Sequence, residues 1–297
     1  MTTAPALDPI ASKTAATSSF REVIARLQRG DRTIELHGLP TTLAAFLVTH
    51  VQRSLPRPLL VVAADENRAE QWRDDLQAIA GEEIVRYFPA WDVDLYDRSS
   101  PSQEVTGLRI EALDRLARKR PAIIVAPAAA LVTPVIPPHA LELGMLSLKI
   151  NGEYPLDQLA SHLVDTGFER VPMVDAVGQF SVRGGIVDIS PVGVDHPVRL
   201  EFFGDEIESI RAFDLSSQRS VCALDTVDVL PAREVLLSPP FFQDYSAAVQ
   251  AASDETGIDL TEVRDQLELG GSLEGVEVYM AILYGRDGGL FEYLENP

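Results

Sequence analysis

The stretch Arg183–Arg211 reads RGGIVDISPVGVDHPVRLEFFGDEIESIR, and it decides how the middle of the chain folds. Side chains along a strand alternate between two faces. In Val198–Phe203 the alternation sets Val198, Leu200 and Phe202 on an apolar face and Arg199, Glu201 and Phe203 on the other. Gly204-Asp205 then separates this run from Glu206–Phe213, and a Gly-Asp pair between two apolar runs predicts a tight hairpin. Two readings of Phe203 stand side by side. An aromatic beside arginine on an exposed sheet face is the composition of a protein-binding hot spot. Alternatively, Phe203 packs at the strand end under the acidic C-terminal part of the chain. Arg183 precedes Gly184-Gly185, and because a glycine pair invites a bulge, spacing alone leaves its facing open.

Around this hairpin lies an α+β unit, 144–232. Gly178–Ile189 is strand-like. Leu156–Val164 carries Leu156, Leu159, Ala160 and Leu163 on one helical face, with Pro155 near its start and Gly167 at its end. Upstream, residues 20–143 alternate strand and helix signals. Strands are predicted at Thr33–Gly38, Pro58–Ala64 (PLLVVAA, a run suited to burial on both faces), Ile84–Phe88 and Ala122–Ala126, with helices at Pro40–Arg53, Glu66–Ile79 and Gln103–Lys119. Asp65 is placed to cap the second of these helices. That order predicts an α/β fold, a parallel doubly wound sheet, with the α+β unit inserted as a smaller domain. Residues 233–297 return to helical text. The acidic segment 254–277, opposed by Arg264 alone, reads as a solvated helical face or mobile segment. Residues 1–19, rich in Ala, Thr, Ser and Pro, read as a disordered lead-in.

Composition narrows the function. Asp and Glu number 45 against 25 Lys and Arg, a net charge of −20, so bulk charge disfavours gripping nucleic acid or an anionic membrane. One cysteine, Cys222, excludes an internal disulfide framework and a multi-cysteine zinc site, and reads as a small apolar filler. No metal site is expected. Asp92, Asp94 and Asp97 are read as solvating a loop, and His196 as a turn residue. The longest apolar run, 122–138, is cut by Pro127 and Pro134, and no signal peptide precedes it, so a cytoplasmic protein without membrane contact is expected.

The loop after the first strand is where a nucleotide-binding sheet holds phosphate. That chemistry needs glycines to expose backbone N–H groups, a lysine for the terminal phosphates and Ser or Thr for magnesium. Here the position reads His37-Gly38-Leu39-Pro40-Thr41-Thr42-Leu43, with one glycine, no lysine and a proline that removes a donor. Gly38, Thr41 and Thr42 therefore form a degenerate loop not expected to bind nucleotide, and the threonines are expected to cap the next helix. No catalytic constellation is found.

The residues GQFSVRGGIVDI from Gly178, PVRLEFFGDEIESIR from Pro197, Phe213-Asp214 and Gln218-Arg219-Ser220 resemble the UvrA-binding domain shared by UvrB and the transcription-repair coupling factors. Phe88-Pro89-Ala90-Trp91-Asp92, Leu95-Tyr96-Asp97 and Ser100-Pro101 resemble the coupling factors rather than UvrB, which is expected to keep an intact phosphate loop and a tyrosine-rich hairpin. The resemblance covers roughly residues 20–295. It implies a first domain like a helicase motor, degenerate and RecA-like, lacking ATPase activity, with the inserted UvrA-binding domain inside it. UvrA docking in the family uses two arginines and an aromatic, which match Arg183, Arg199 and Phe203. Ser190 departs from the aromatic expected before Pro191, which would loosen packing there.

On this resemblance the chain is a UvrA-recruiting module of transcription-coupled nucleotide excision repair. RNA polymerase, DNA, ATP and magnesium would be engaged only by domains beyond the sequence in hand, whose last residues, Glu295-Asn296-Pro297, read as the edge of a fragment. Two other readings remain at this stage: a UvrB-type ATPase or helicase fragment, and a standalone regulator that binds UvrA.

Overall fold

The computed structural model describes residues 7–94, 99–237, 239–268, 273–285 and 289–294. The chain forms two units, residues 1–90 with 115–132 and residues 91–114 with 133–297. The division differs from the expected boundaries at 143/144 and 232/233, because residues 233–297 fall in the same unit as the α+β region.

The first unit contains helices α1 (Asp8–Ala15), α2 (Ser18–Gln28), α3 (Thr41–Ser54) and α4 (Glu66–Ala80). They accompany a parallel three-stranded sheet in the order β1 (Leu59–Ala63), β3 (Ile123–Pro127), β2 (Val85–Tyr87). Helix α5 (Gln103–Ala117) connects β2 to β3, and the division between units falls within it, after Asp114. The α/β content follows the sequence pattern, with three corrections. The expected disordered lead-in, residues 1–19, contains α1 and the start of α2 at Ser18, whose N-cap Thr17 side chain accepts from the Phe20 backbone N–H. Thr33–Gly38 forms no strand. Its apolar side chains are Ile34 and Leu36, set among Arg32, Glu35 and His37, and Leu36 lies exposed, so the segment has little to bury against a neighbour. With that strand missing, PLLVVAA lies at the sheet edge, where only Ala63 of β1 is buried, and the strand buried at every position is β3. Asp65 caps α4 as its position predicts, its carboxylate accepting from the Arg68 backbone N–H at 2.9 Å.

After residues 91–114, the second unit continues with α6 (Pro138–Gly144), β4 (Leu146–Lys149) and α7 (Leu156–Asp165). A six-stranded sheet follows from β5 (Glu169–Arg170), β6 (Gln179–Arg183), β7 (Ile186–Ile189), β8 (Val198–Phe203), β9 (Glu206–Phe213) and β10 (Ser220–Leu224). Its spatial order is β10-β9-β8-β7-β6-β5, antiparallel throughout except for the short parallel pair of β5 with β6. Strand β11 (Thr226–Val229) pairs separately with β4. Leu159 and Leu163 of α7 share a core with Phe180, Val187, Ile189, Val198, Leu200, Ile207 and Ile210, so one sheet face is closed by the helix whose spacing predicted an apolar stripe.

Three expectations about this sheet change. Gly184-Gly185 is a hairpin turn rather than a bulge, since Arg183 pairs with Ile186 across it. Gly184 takes a φ of +60°. A Cβ on Gly185 would stand 2.8 Å from the Phe202 carbonyl oxygen, so the residue is glycine because β8 passes that closely. Irregularities fall instead between Glu201 and Phe202 in the β8–β9 register and between Ser220 and Cys222 in the β9–β10 register. Ser190 does not loosen its surroundings: it is buried, its N–H donates to the Gln179 carbonyl and its carbonyl accepts from Gly178. Cys222 is exposed on β10 rather than filling a core.

The C-terminal helices α8 (Pro239–Thr256), α9 (Thr261–Glu268) and α10 (Met280–Leu283) pack around Tyr245, Val249, Leu267 and Met280. The acidic side chains of α9 face solvent, as composition predicts, but Glu277 is buried. Burial pushes its carboxyl pKa up, against the opposing effect of the Ser100 hydroxyl, which donates to it at 2.7 Å.

Candidate partner-binding site

The outer face of the six-stranded sheet is polar at its centre. Asp188 of β7 lies opposite Ser181 of β6 and Arg199 of β8, and Arg199 lies opposite Arg211 of β9. Asp188 is buried, with 1% of its side chain exposed, and both site arginines converge on it. Arg199 Nε donates to Oδ1 at 2.6 Å and Nη2 to Oδ2 at 2.9 Å, a bidentate pair. Arg183 Nη2 reaches Oδ2 at 2.5 Å. The guanidinium of Arg199 also lies 4.8 Å from the centre of the Phe213 ring and 3.4 Å from the Gln218 side-chain oxygen. The bond to Asp188 raises the Arg199 pKa above its ordinary value against the opposing effect of burial.

The two arginines differ in what they leave for a partner. Arg199 keeps 21% of its side chain exposed and Arg183 keeps 44%. Two cations around one anion leave a local excess of positive charge on a strongly acidic chain. Phe203 ends β8 at the hairpin, next to Gly204 with its φ of +63°, and is 77% exposed. The packed reading of Phe203 is thereby corrected: Phe202 turns toward the core and Phe203 away from it. Glu201, between Arg199 and Phe203, accepts from Ser209 at 2.7 Å and Arg211 at 2.9 Å, so its charge is matched within the sheet.

Alternation brought out Arg199 and Phe203. It did not bring out Asp188, although the aspartate in Ile186–Ile189 sits at outward parity and is flanked in sequence by the two arginines. Gln218 was also missed. It adopts a φ of +56° and reaches from the β9–β10 loop to the Val174 carbonyl at 3.4 Å.

The degenerate loop lies in the first unit. Gly38 has a φ of +69° and open space around it. The N-cap of α3 is Pro40 and no side chain caps it, so Thr41 and Thr42 do not take the expected role. Thr42 Oγ1 donates to Asp75 at 3.4 Å instead. Asp92 accepts from the Ser102 backbone N–H at 3.0 Å, just before α5. Burial works to raise its pKa, but the Ser102 bonds outweigh it and the net shift is downward. Asp97 lies outside the described residues. Among the described residues no group of three or more His, Cys, Asp and Glu is arranged to hold a metal ion, and no helix is long and apolar enough to cross a membrane.

Comparison with known proteins defines the class of this region first. Residues 146–235 match the UvrB interaction domain, a span that runs from β4 past β11 and contains the whole arginine–aspartate cluster. Over 84% of its length the chain is 35% identical to the transcription-repair-coupling factor of Myxococcus xanthus, covering 21% of that protein. The Mycobacterium bovis factor is 35% identical over 76% of the chain and 19% of the relative, and the Escherichia coli factor 30% identical over 64% and 16%. The chain is thus similar to a part of the transcription-repair-coupling factors, the part that carries the UvrB interaction domain. It spans about a fifth of the length of these relatives.

Proposed function

We propose that this chain recruits UvrA in transcription-coupled nucleotide excision repair, docking through Arg183, Arg199 and Phe203. The observation that carries the reading is the pairing of a preorganised, partly exposed arginine cluster with a solvent-facing aromatic, all inside the UvrB interaction domain. The buried Asp188 holds both guanidinium groups in place before a partner arrives, which reduces the side-chain ordering that binding would require. An acidic surface on the partner would meet the excess positive charge, and an apolar pocket would receive Phe203.

Titration calorimetry with UvrA tests this. Phe203→Ala and Arg183→Ala should each weaken binding by about 2 kcal/mol or more, roughly thirtyfold. Arg183→Lys should recover only part of the loss, because lysine lacks the planar fork. Glu262→Ala, on exposed α9, should bind as the unchanged chain does. Phe203→Ala should also melt as the unchanged chain does, since its side chain is mostly in water. Wild-type affinity in both docking variants would refute the assignment.

The same reading makes the first unit a degenerate RecA-like domain that does not turn over ATP, with nucleotide hydrolysis, DNA translocation and RNA polymerase contact belonging to other parts of the longer relatives. It rests on the missing lysine and second glycine in His37–Leu43 and on the engagement of Thr42 with Asp75. A fluorescent ATP analogue at micromolar concentration is expected to give no saturable, magnesium-dependent signal with this chain. Such a signal would favour the UvrB-type ATPase instead.

A further inference from the structure

The outer face of the six-stranded sheet carries a third arginine besides Arg183 and Arg199. One ladder crosses that face from Ser181 of β6 through Asp188, Arg199 and Arg211 to Ala223 of β10, each residue opposite the next. Arg211 therefore shares the face of Arg199, one strand nearer the β10 edge. Like charges directly opposite each other destabilise a sheet, so each of these two arginines needs its own carboxylate. Arg199 has Asp188, and Arg211 has Glu201, to whose Oε2 its Nη2 donates at 2.9 Å. That bond uses one of the five N–H donors of a guanidinium. Glu201 also accepts from the Ser209 hydroxyl at 2.7 Å, so Arg211 is anchored from within the sheet, as Arg183 is by Asp188. Exposure matches too: 43% of the Arg211 side chain against 44% for Arg183. On its far side the cross-strand neighbour is Ala223, exposed and too short to cover a guanidinium.

The three guanidinium groups are spread across the sheet rather than gathered at one point. Arg183 stands on β6 and Arg211 on β9, three strand spacings apart, roughly 14 Å at about 4.8 Å per strand. One carboxylate of a partner does not span that separation. Arg183 and Arg199 share Asp188, whereas Arg211 has a separate anchor and is a separate point of contact. We infer that Arg211 is a further docking residue, meeting a carboxylate of UvrA distinct from those that Arg183 and Arg199 meet. The inference rests on the reading of this face as a UvrA site. It makes the complementary surface an acidic strip running across the strands rather than a single acidic pocket.

Titration calorimetry of the chain with UvrA tests it, with Phe203→Ala and Arg183→Ala measured alongside. Arg211→Ala should weaken binding about tenfold, and Arg211→Glu, which sets like charges against each other, about a hundredfold. Arg21→Glu, the same charge change on an exposed position of α2, should leave binding unchanged. The losses from Arg211→Ala and Arg183→Ala should add in the double variant, because sites with separate partners contribute independently. The affinity of Arg211→Ala should also fall less steeply with added salt than that of the unchanged chain, since one screened pair is missing. Arg211→Ala should melt as the unchanged chain does, because a partly exposed ion pair adds little stability. Wild-type affinity in both Arg211 variants, with Phe203→Ala and Arg183→Ala weakened, overturns the inference and leaves the docking reading standing. A loss in Arg211→Glu that Arg21→Glu matches overturns it as well. Wild-type affinity in all the docking-face variants overturns both.

Discussion

Glu234→Ala is expected to destabilise the second unit by about 3–5 kcal/mol, because it removes a buried carboxylate paired at two points with a buried guanidinium. Arg109 of α5 is fully buried, and Glu234, just after β11, is nearly so. They form a two-point pair, Nε to Oε1 at 2.5 Å and Nη2 to Oε2 at 3.2 Å. The same guanidinium donates to Thr133 Oγ1 at 3.2 Å and to the Pro134 carbonyl at 3.0 Å, and it lies 5.6 Å from the Trp91 ring centre. Thr133 and Pro134 orient the cation through neutral oxygens, whereas Glu234 holds it at two points with a buried carboxylate. Replacing both members with apolar residues of similar volume, Arg109→Met with Glu234→Leu, should recover most of the loss. Denaturant unfolding read by Trp91 fluorescence in a Trp72→Phe background measures both. A loss below about 1 kcal/mol for Glu234→Ala would mean that the pair is hydrated in solution.

The second large effect is at the arginine–aspartate cluster. Arg199→Ala should lower stability by about 2–4 kcal/mol as well as UvrA affinity, because it removes both bidentate bonds to a buried carboxylate. Asp188 retains its bond to Arg183, which keeps the cost below that of a fully orphaned charge. The ring of Phe213 loses its stacked guanidinium in the same substitution. Arg199→Lys restores the charge but neither the fork nor the stack, and should recover only a fraction of the stability. Denaturant unfolding of Arg199→Ala and Phe203→Ala gives the contrast: the first midpoint should fall and the second should hold. If Arg199→Ala unfolds at the wild-type midpoint, Asp188 is satisfied without it, and the account of a preorganised cluster fails. Affinity lost on changing Arg199 thus has two sources, while that lost on changing Phe203 has one.

The parts of this structure that were legible in the sequence are those governed by a local period. The face of β8, the apolar stripe of α7 and the cap at Asp65 each follow from residues within a few positions of one another. What was not legible depends on partners remote in sequence. Arg109 reads as one more charge on an amphipathic helix, and nothing near it announces a glutamate 125 residues away. Asp188 becomes meaningful only once the β7–β8 register is known. Thr33–Gly38 failed as a strand because a strand signal without enough apolar surface has nothing to hold it beside β1. Cys222 was read by the usual behaviour of its residue type, but β10 lies at an edge, and edge position is a property of topology.

That topology also bears on the order in which the molecule assembles. From β6 to β10 every strand lies beside the strand that precedes it in the chain, and two of the four connections are the two-residue turns Gly184-Gly185 and Gly204-Asp205. Loops this short are closed at little entropic cost, so the meander zips from its hairpins with few long-range searches, and low contact order favours rapid folding. The Arg109–Glu234 pair, by contrast, closes only after the whole meander between its members has been made. On an emerging chain the arginine–aspartate face is thus complete while the segments that bracket it still await their ends.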